Sequence, residues 1–150
     1  MAATYTVDAS VFLNAFNPRE QGHEVSQNLL ARMQENGTPI IVPTLLLPET
    51  AAALGRGQRD TDLTRRFVAA LSRLPYLVLV PLDVTLAQQA ADLAAQHRLR
   101  GSDAVYAAVA LRFGSTLVTL DRQQRERVAE IVATRWPAEA LADWNKGALK

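Results

Sequence analysis

Short apolar runs alternate along the chain with longer segments in which apolar residues recur every three or four positions. The runs at residues 4–7, 39–42, 76–80 and 115–120 have the length and composition of β-strands, and a last strand is expected within 130–137. The segments between them predict amphipathic helices. Because no hairpin signals join the strands, crossover connections and a mainly parallel sheet are predicted, with helices on both faces in a three-layer α/β/α sandwich.

Several local signals refine this prediction. The run YLVLV at residues 76–80 is continuously apolar, as is typical of a strand buried on both faces. Asp83 is expected to cap the helix that follows it, and Ser102 to cap the helix DAVYAAVALRFG. No linker or repeat divides the sequence, so a single domain is predicted over residues 1–150, with a frayed tail from about residue 145.

Composition and charge narrow the function only a little. The 150 residues suffice for one domain with a proper core, and 49% hydrophobic and 21% charged residues are values of a globular chain. A formal net charge of +1 neither indicates nor excludes a nucleic-acid partner. The apolar runs fall short of the ~18 residues of a membrane span. No N-terminal targeting pattern stands out, so a cytoplasmic protein without a membrane partner is expected.

The absence of cysteine and the scarcity of lysine exclude several kinds of chemistry. The chain has no cysteine, which excludes thiol catalysis, disulfides and thiolate metal sites. Its only lysines are Lys146 and Lys150, close to the end of the sequence. Chemistry that needs a lysine within the body of the domain is therefore excluded as well.

Four acidic residues stand at positions where a parallel sheet collects functional groups. Asp8 and Asp121 follow predicted strands, and the ligands of such sheets bind outside the carboxyl ends of the strands. Asp103 opens a predicted helix, and such a helix can begin at the same edge of the sheet. Glu49 lies within PTLLLPETAAAL, where nearly every neighbour is apolar. The four carboxylates are therefore candidates for one shared site.

Each of these acids also has a simpler interpretation as a helix cap or a first-turn residue. Asp83 shows the same pattern, because it too follows a strand and precedes a helix. As a group the four are harder to explain, since two carboxylates ~4 Å apart repel by about 4 kcal/mol at an effective dielectric constant near 20. A hard cation, Mg²⁺ or Mn²⁺, would relieve this repulsion and would suit phosphodiester cleavage.

The segments that carry these acids resemble the PIN domain family, and most of all its VapC-type toxins. They are VDASVFLNAF, PTLLLPETAAAL, GSDAVYAAVALRFGSTLVTLD and VATRWPAEAL, in that order along the chain. The resemblance implies a PIN-like fold and Mg²⁺- or Mn²⁺-dependent hydrolysis of RNA phosphodiesters. It also implies a toxin–antitoxin pair, in which this chain is a homodimer restrained by an antitoxin protein.

The resemblance assigns roles to the acidic residues. The family's acidic positions are matched by Asp8, Glu49, Asp103 and Asp121. It implies that the three aspartates hold metal directly, whereas Glu49 binds a second ion or positions water. Asp83 matches no catalytic position of the family, so it is interpreted as a helix cap.

Hydroxyl and arginine side chains complete the predicted site. Ser10 and Thr119 match positions that orient the carboxylates in the family, although a helix start and a strand would explain them equally well. Arg122, Arg125 and Arg112 are candidate contacts to RNA phosphates. The alternative for these arginines is an ordinary solvated helix face.

Other enzyme classes that gather acids or nucleotides at a sheet edge fit less well. A receiver-type phosphoacceptor needs an adjacent acidic pair and a lysine, and a haloacid-dehalogenase-like phosphatase needs an aspartate where Ser10 stands. Nucleotide-binding domains need a glycine-rich turn after the first strand, and serine hydrolases need G-x-S-x-G. The strongest rival is a PIN-like module that binds RNA or a protein partner without cleaving.

Overall fold

The computed structural model of the protein describes residues 3–148, which form a five-stranded parallel sheet covered by helices on both faces. The strands are β1 (Tyr5–Val7), β2 (Ile40–Pro43), β3 (Leu77–Val80), β4 (Thr116–Val118) and β5 (Thr134–Arg135). The helices are α1 (Ala9–Phe16), α2 (His23–Glu35), α3 (Leu46–Gln58), α4 (Thr61–Ser72), α5 (Val84–His97), α6 (Gly101–Phe113), α7 (Arg122–Val128) and α8 (Pro137–Ala148). The predicted three-layer α/β/α sandwich is confirmed.

The order of the strands creates a crevice at one edge of the sheet. The order is β3-β2-β1-β4-β5, and every neighbouring pair is parallel. The chain builds the sheet outward from β1 to β3, then crosses back to add β4 and β5 on the other side of β1. The carboxyl ends of β1 and β4 flank this change of direction, which is where parallel α/β sheets bind ligands.

Alternate strand residues face two separate hydrophobic cores, as the pleat of a strand requires. Ile40 and Val42 pack on one face of the sheet, with buried residues of α1 to α4 and α8. Ile41 and Leu117 pack on the other face, mainly with α5 and α6. Helix α6 is buried from residue 103 to residue 110, which explains why apolar residues occupy nearly all of its sides.

Two predictions about strands are wrong. The run at residues 76–80 is not buried on both faces, because β3 is an edge strand and Val78 within it is 44% exposed. An apolar sequence reports strand propensity, whereas the position of a strand within a sheet depends on the whole topology. The last strand is shorter than its pattern indicates, since only Thr134 and Arg135 pair with β4.

One prediction about a helix end is also wrong. Helix α6 begins at Gly101 with Arg100 at its N-cap position, so Ser102 lies inside the helix and does not cap it. Helix α8 continues to Ala148, into the segment for which a frayed tail is predicted from about residue 145; residues 149 and 150 lie outside the described part of the chain. The Asp83 cap is confirmed, since its Oδ1 accepts a hydrogen bond of 2.9 Å from the Leu86 backbone N–H. No helix within residues 3–148 is long and apolar enough to cross a membrane.

Candidate active site

Asp8 is the first residue after β1 and lies at the crevice between β1 and β4. Its backbone N–H donates to the Val118 carbonyl at 2.9 Å, which continues the pairing of the two strands by one residue. Its Oδ2 accepts from the Ser10 backbone N–H at 3.0 Å, so Asp8 caps α1 as the simpler interpretation proposed. The side chain is buried, and capping occupies only one of its two oxygens.

Asp103 and Asp121 come from different elements and share one cationic partner. Asp103 lies in the first turn of α6 and is buried, whereas Asp121 follows β4 and caps α7 through the Gln124 backbone N–H, 3.0 Å away. Arg100 donates from Nε to Asp103 Oδ2 at 2.8 Å and from Nη2 to Asp121 Oδ2 at 2.5 Å. One guanidinium thus binds both carboxylates.

Glu49 enters the same region from the first turn of α3. Within the described part of the chain, its Oε1 is buried and has no hydrogen-bond partner, and the same is true of the Tyr106 hydroxyl. Burial raises the pKa of Glu49. The Tyr106 hydroxyl lowers this pKa, whereas the carboxylates of Asp8 and Asp103 raise it further. Burial also raises the pKa of Tyr106, as do Asp8 and Glu49. A buried carboxylate oxygen without a hydrogen-bond partner is costly, so this oxygen is suited to accept a hydrogen bond or to bind a cation.

Electrostatic effects link the carboxylates in pairs. Burial raises the pKa of Asp103 above its usual range; Arg100 opposes this shift, and Asp121 and Asp8 reinforce it. Burial acts to raise the pKa of Asp121 as well, but hydrogen bonds from the Gln124 backbone and from Arg100 outweigh it and lower the pKa. Asp8 therefore acts on both Glu49 and Asp103, and Asp103 on Glu49, whereas Asp121 is linked to the others through Asp103; one shared site of all four acids stays a prediction.

Hydroxyl groups brace the loop that carries Asp121. Ser10 Oγ accepts from the Leu120 backbone N–H at 3.1 Å, which ties the start of α1 to the end of β4. Thr119 Oγ1 accepts from the Asp121 backbone N–H at 3.0 Å and donates to Gln124 Oε1 at 2.5 Å. Ser10 and Thr119 thus contact the backbone around an acidic residue rather than its carboxylate.

Gln124 is a site residue that the sequence does not indicate. Its side chain is fully buried, accepts from Thr119 and donates from Nε2 to Asp8 Oδ1 at 3.4 Å. Its backbone N–H donates to Asp121 Oδ1, the N-cap of α7, at 3.0 Å. A single glutamine therefore connects the acids that follow β1 and β4.

The predicted phosphate contacts divide into three different environments. Arg125 binds Glu139 through both oxygens at 2.7 and 2.9 Å and lies 5.1 Å above the Trp136 ring, so it ties α7 to α8. Arg112 donates to Gln89 at 2.7 Å, and its position nine residues after Asp103 puts it ~13 Å further along α6. Arg122 follows Asp121 directly; its side chain is largely exposed and donates from Nε to Glu126 Oε1 at 3.0 Å, an ion pair on the solvent-exposed surface.

The donor set suits a hard divalent cation, although the side chains do not yet enclose one. No group of three or more histidine or acidic side chains between residues 3 and 148 has the spacing of a completed metal site. Carboxylate oxygens are nevertheless the ligands that Mg²⁺ and Mn²⁺ prefer. The unpartnered oxygen of Glu49 and the like-charge contacts among the four acids both fit such an ion.

Comparison with known proteins identifies the family to which the chain belongs. The family model described as PIN domain matches residues 5–130. The chain belongs to the PIN domain family. Ribonuclease VapC45 of Mycobacterium tuberculosis (strain CDC 1551 / Oshkosh) is 32% identical over 112 residues, which cover 71% of this chain and 74% of that protein. This PIN domain is therefore of the VapC type, and the resemblance found in the sequence is confirmed.

Solved structures show the same fold at lower identity. The crystal structure of Mycobacterium tuberculosis VapC20, a Sarcin-Ricin loop cleaving toxin, is similar with a TM-score of 0.72 and 20% identity, covering 88% of this chain and 99% of that one. VapBC2 from Rickettsia felis, bound to a DNA fragment from its promoter, is similar with a TM-score of 0.68 and 14% identity over 88% of this chain and 97% of the other.

The raised pKa of Glu49 leads to a stability prediction for this PIN domain. A carboxyl group whose pKa is raised on folding stabilises the fold only while it is protonated, and this contribution is lost as the pH rises through the folded-state value. At neutral pH without metal, Glu49→Gln is therefore expected to raise the melting temperature by about 2–4 °C, the shift that ~1 kcal/mol produces at this chain length. The gain should vanish below the ordinary pKa of 4.5.

Glu24 is a matched control for this measurement, because it is an exposed first-turn glutamate of α2. Glu24→Gln should leave the melting temperature unchanged or lower it slightly, since the helix dipole favours the charge. Melting curves recorded in EDTA at neutral pH and at a pH below 4.5 test whether the charged Glu49 carboxylate destabilises the fold. Equal behaviour of the two variants would mean that the ionised Glu49 carboxylate does not destabilise the fold.

Proposed function

We propose that the protein is a divalent-metal-dependent endoribonuclease and the toxin of a toxin–antitoxin pair. The observation that carries this proposal is the grouping of acidic side chains where β1 and β4 end: Arg100 binds both Asp103 and Asp121, and Gln124 connects Asp121 with Asp8. Glu49, whose pKa is raised by Asp8 and Asp103, adds a buried oxygen without a hydrogen-bond partner. The names of its relatives support the choice of RNA, since VapC45 is a ribonuclease and VapC20 cleaves the Sarcin-Ricin loop.

In this proposal Asp8, Asp103 and Asp121 bind Mg²⁺ or Mn²⁺ directly. The bound ion supplies positive charge that polarises the scissile phosphate and promotes deprotonation of the attacking water. Glu49 binds a second ion or positions that water, because its raised pKa and unpartnered oxygen suit an acceptor of protons or hydrogen bonds. The catalytic role of all four residues is part of the proposal.

The remaining side chains serve these four acids. Ser10 and Thr119 hold the loop of Asp121 in place, which fixes the direction of its carboxylate. Arg122 is the arginine best placed to meet an RNA phosphate, because it adjoins Asp121 and is 84% exposed. Arg125 is committed to Glu139, and Arg112 lies at the far end of α6.

The biological setting is proposed by the same reasoning. A toxin-antitoxin complex from Klebsiella pneumoniae is similar in fold, with a TM-score of 0.65 and 18% identity over 91% of this chain and 99% of the other. We therefore infer a cytoplasmic protein restrained by an antitoxin. A homodimer is part of the proposal, and the exposed apolar side chains of Leu111 and Phe113 at the end of α6 favour an interface there.

Removal of metal tests the enzymatic part of the proposal. Protein stripped with EDTA should not cleave RNA, and Mn²⁺ should restore cleavage and raise the melting temperature by several degrees. A ligand present at 100 times its dissociation constant adds about 2.7 kcal/mol of stability, so the thermal shift should be easy to measure. Ca²⁺ and Zn²⁺ provide comparison ions with different coordination preferences.

The outcome also separates the rival function. RNA binding that is unaffected by EDTA, together with no cleavage at any Mn²⁺ concentration, would identify a PIN-like module that binds without cleaving. Cleavage that persists in EDTA would contradict the metal-dependent mechanism and would leave the four acids without the proposed role.

A further inference from the structure

Arg100 occupies an unusual position at the candidate site. It is the N-cap residue of α6, but its side chain makes no capping hydrogen bond to the helix. Instead the guanidinium, whose side chain is half exposed, reaches Asp103 at 2.8 Å and Asp121 at 2.5 Å. It is thus the cation that holds together two carboxylates from separate elements.

The contacts of Arg100 overlap with those expected of a metal ion. It uses one oxygen of each carboxylate, Oδ2 of Asp103 and Oδ2 of Asp121. A divalent ion bound to these same oxygens would lie within a few ångströms of the guanidinium, and the two cations would repel each other. A guanidinium stays protonated at every accessible pH, so the conflict cannot be resolved by loss of a proton.

The surroundings of Arg100 allow its side chain to move away from the two carboxylates. Within the described part of the chain its side-chain hydrogen bonds go only to the two carboxylates, and half of the side chain faces solvent. Arg125 differs, because it pairs with both oxygens of Glu139 and also stacks on Trp136. Rotation of the Arg100 side chain into water therefore breaks two ion pairs but no packing comparable to that of Arg125.

We propose that Arg100 is a built-in counter-ion that keeps Asp103 and Asp121 together in the metal-free protein and is displaced when a divalent cation binds. This inference rests on the proposed function, since it concerns the same acidic residues. It makes Arg100 a competitor of the metal, in contrast to a positioning residue that remains in place and helps the metal to bind.

The affinity for Mn²⁺ distinguishes these two roles. Isothermal titration of the metal-free protein should show that Arg100→Ala binds Mn²⁺ at least about threefold more tightly than the wild type, because a unit charge so close to the ion is little screened. Arg100→Lys should lie between them, since an ammonium group cannot reproduce the fork. Unchanged or weaker binding by Arg100→Ala would overturn the proposal.

Arg73 offers a matched control for the change in net charge. Arg73 lies at the end of α4, shortly before β3 begins. It is therefore near the amino ends of the strands, whereas the acids lie at the carboxyl ends, and its Nε donates to the Ala69 carbonyl. Arg73→Ala should bind Mn²⁺ within about twofold of the wild type, because Arg73 lies toward the amino ends of the strands while the acids lie at the carboxyl ends, and salt screens charges over a Debye length of about 8–10 Å. An equal gain in both arginine variants would assign the effect to net charge and overturn the role of Arg100.

A measurement on the wild type keeps the proposal testable if the variants fold poorly. The Arg100 Nε–H signal, assigned by nuclear magnetic resonance, should move toward the position and the fast water exchange of a free guanidinium as Mg²⁺ is added. A signal that stays fixed while Mg²⁺ binds would overturn the proposal. Absence of any divalent-ion binding or RNA cleavage by the wild type would count instead against the proposed function itself.

Discussion

Replacing Asp8 by asparagine is expected to lower the rate of RNA cleavage about 100- to 1,000-fold, since metal assistance is worth several kcal/mol and each ~1.4 kcal/mol is a factor of ten. The fold should survive, because asparagine caps helices as well as aspartate and can accept the same hydrogen bond from the Ser10 backbone N–H. The variant loses the negative charge that acts on Glu49 and Asp103. Rates are measured on a short RNA at saturating Mn²⁺.

Asp83→Asn is a closely matched control for this experiment. Asp83 also follows a strand and caps a helix through a backbone N–H, that of Leu86 at 2.9 Å. Its strand, β3, is separated from β1 by β2, which puts it ~10 Å away across the sheet. This variant should cleave RNA at the wild-type rate, and only the wild type and Asp83→Asn should arrest growth when induced in a heterologous host. Full activity of Asp8→Asn would remove Asp8 from the proposed metal ligands.

The predictable part of the site is the part that strand ends dictate. Apolar runs identify β1 and β4, and a parallel sheet brings their carboxyl ends to one edge, so Asp8 and Asp121 can be placed near each other from the sequence. Glu49 is noticeable because its neighbours are apolar. Capping and site roles are also compatible, since Asp8 and Asp121 each cap a helix with one oxygen and leave the other for a second partner.

Arg100 could not be predicted, because its role depends on two carboxylates that the fold brings together. In the sequence it is one arginine among fourteen, and although it directly precedes the segment GSDAVYAAVALRFGSTLVTLD, nothing local indicates that it pairs with Asp121. Arg125 shows the opposite case. From the sequence, Arg125 is a candidate either for a phosphate contact or for a solvated helix face, whereas the fold places Glu139 and Trp136 beside it. Long-range pairing decides what a charged side chain does, and local sequence does not contain that information.

The burial of Gln124 could not be predicted from the sequence either. Gln124 lies in DRQQRERV, a segment in which every residue but Val128 is polar, and nothing in the sequence distinguishes Gln124 from Gln123. The structure buries Gln124 completely and exposes Gln123, because α7 turns one face toward the ends of β1 and β4. A polar residue that is buried in this way needs partners, and Thr119 and Asp8 supply them.

Replacing Gln124 by alanine is therefore expected to lower RNA cleavage about 10- to 100-fold, as loss of a group that orients metal ligands typically does. The substitution removes the acceptor for the Thr119 hydroxyl and the donor to Asp8, while the backbone cap of Asp121 remains. Stability should fall by about 1–3 kcal/mol, because the Thr119 hydroxyl is left buried without its partner. Rates are therefore compared at a temperature where both proteins are fully folded.

Gln123→Ala is the matched control, since it makes the same substitution one residue earlier on the exposed face of α7 and should leave both rate and stability unchanged. If Gln124 positions Asp8, Gln124→Ala should need a higher Mn²⁺ concentration for half-maximal cleavage than Gln123→Ala does. A loss of stability in Gln124→Ala with an unchanged Mn²⁺ requirement would mean that this glutamine only fills the space beneath α7.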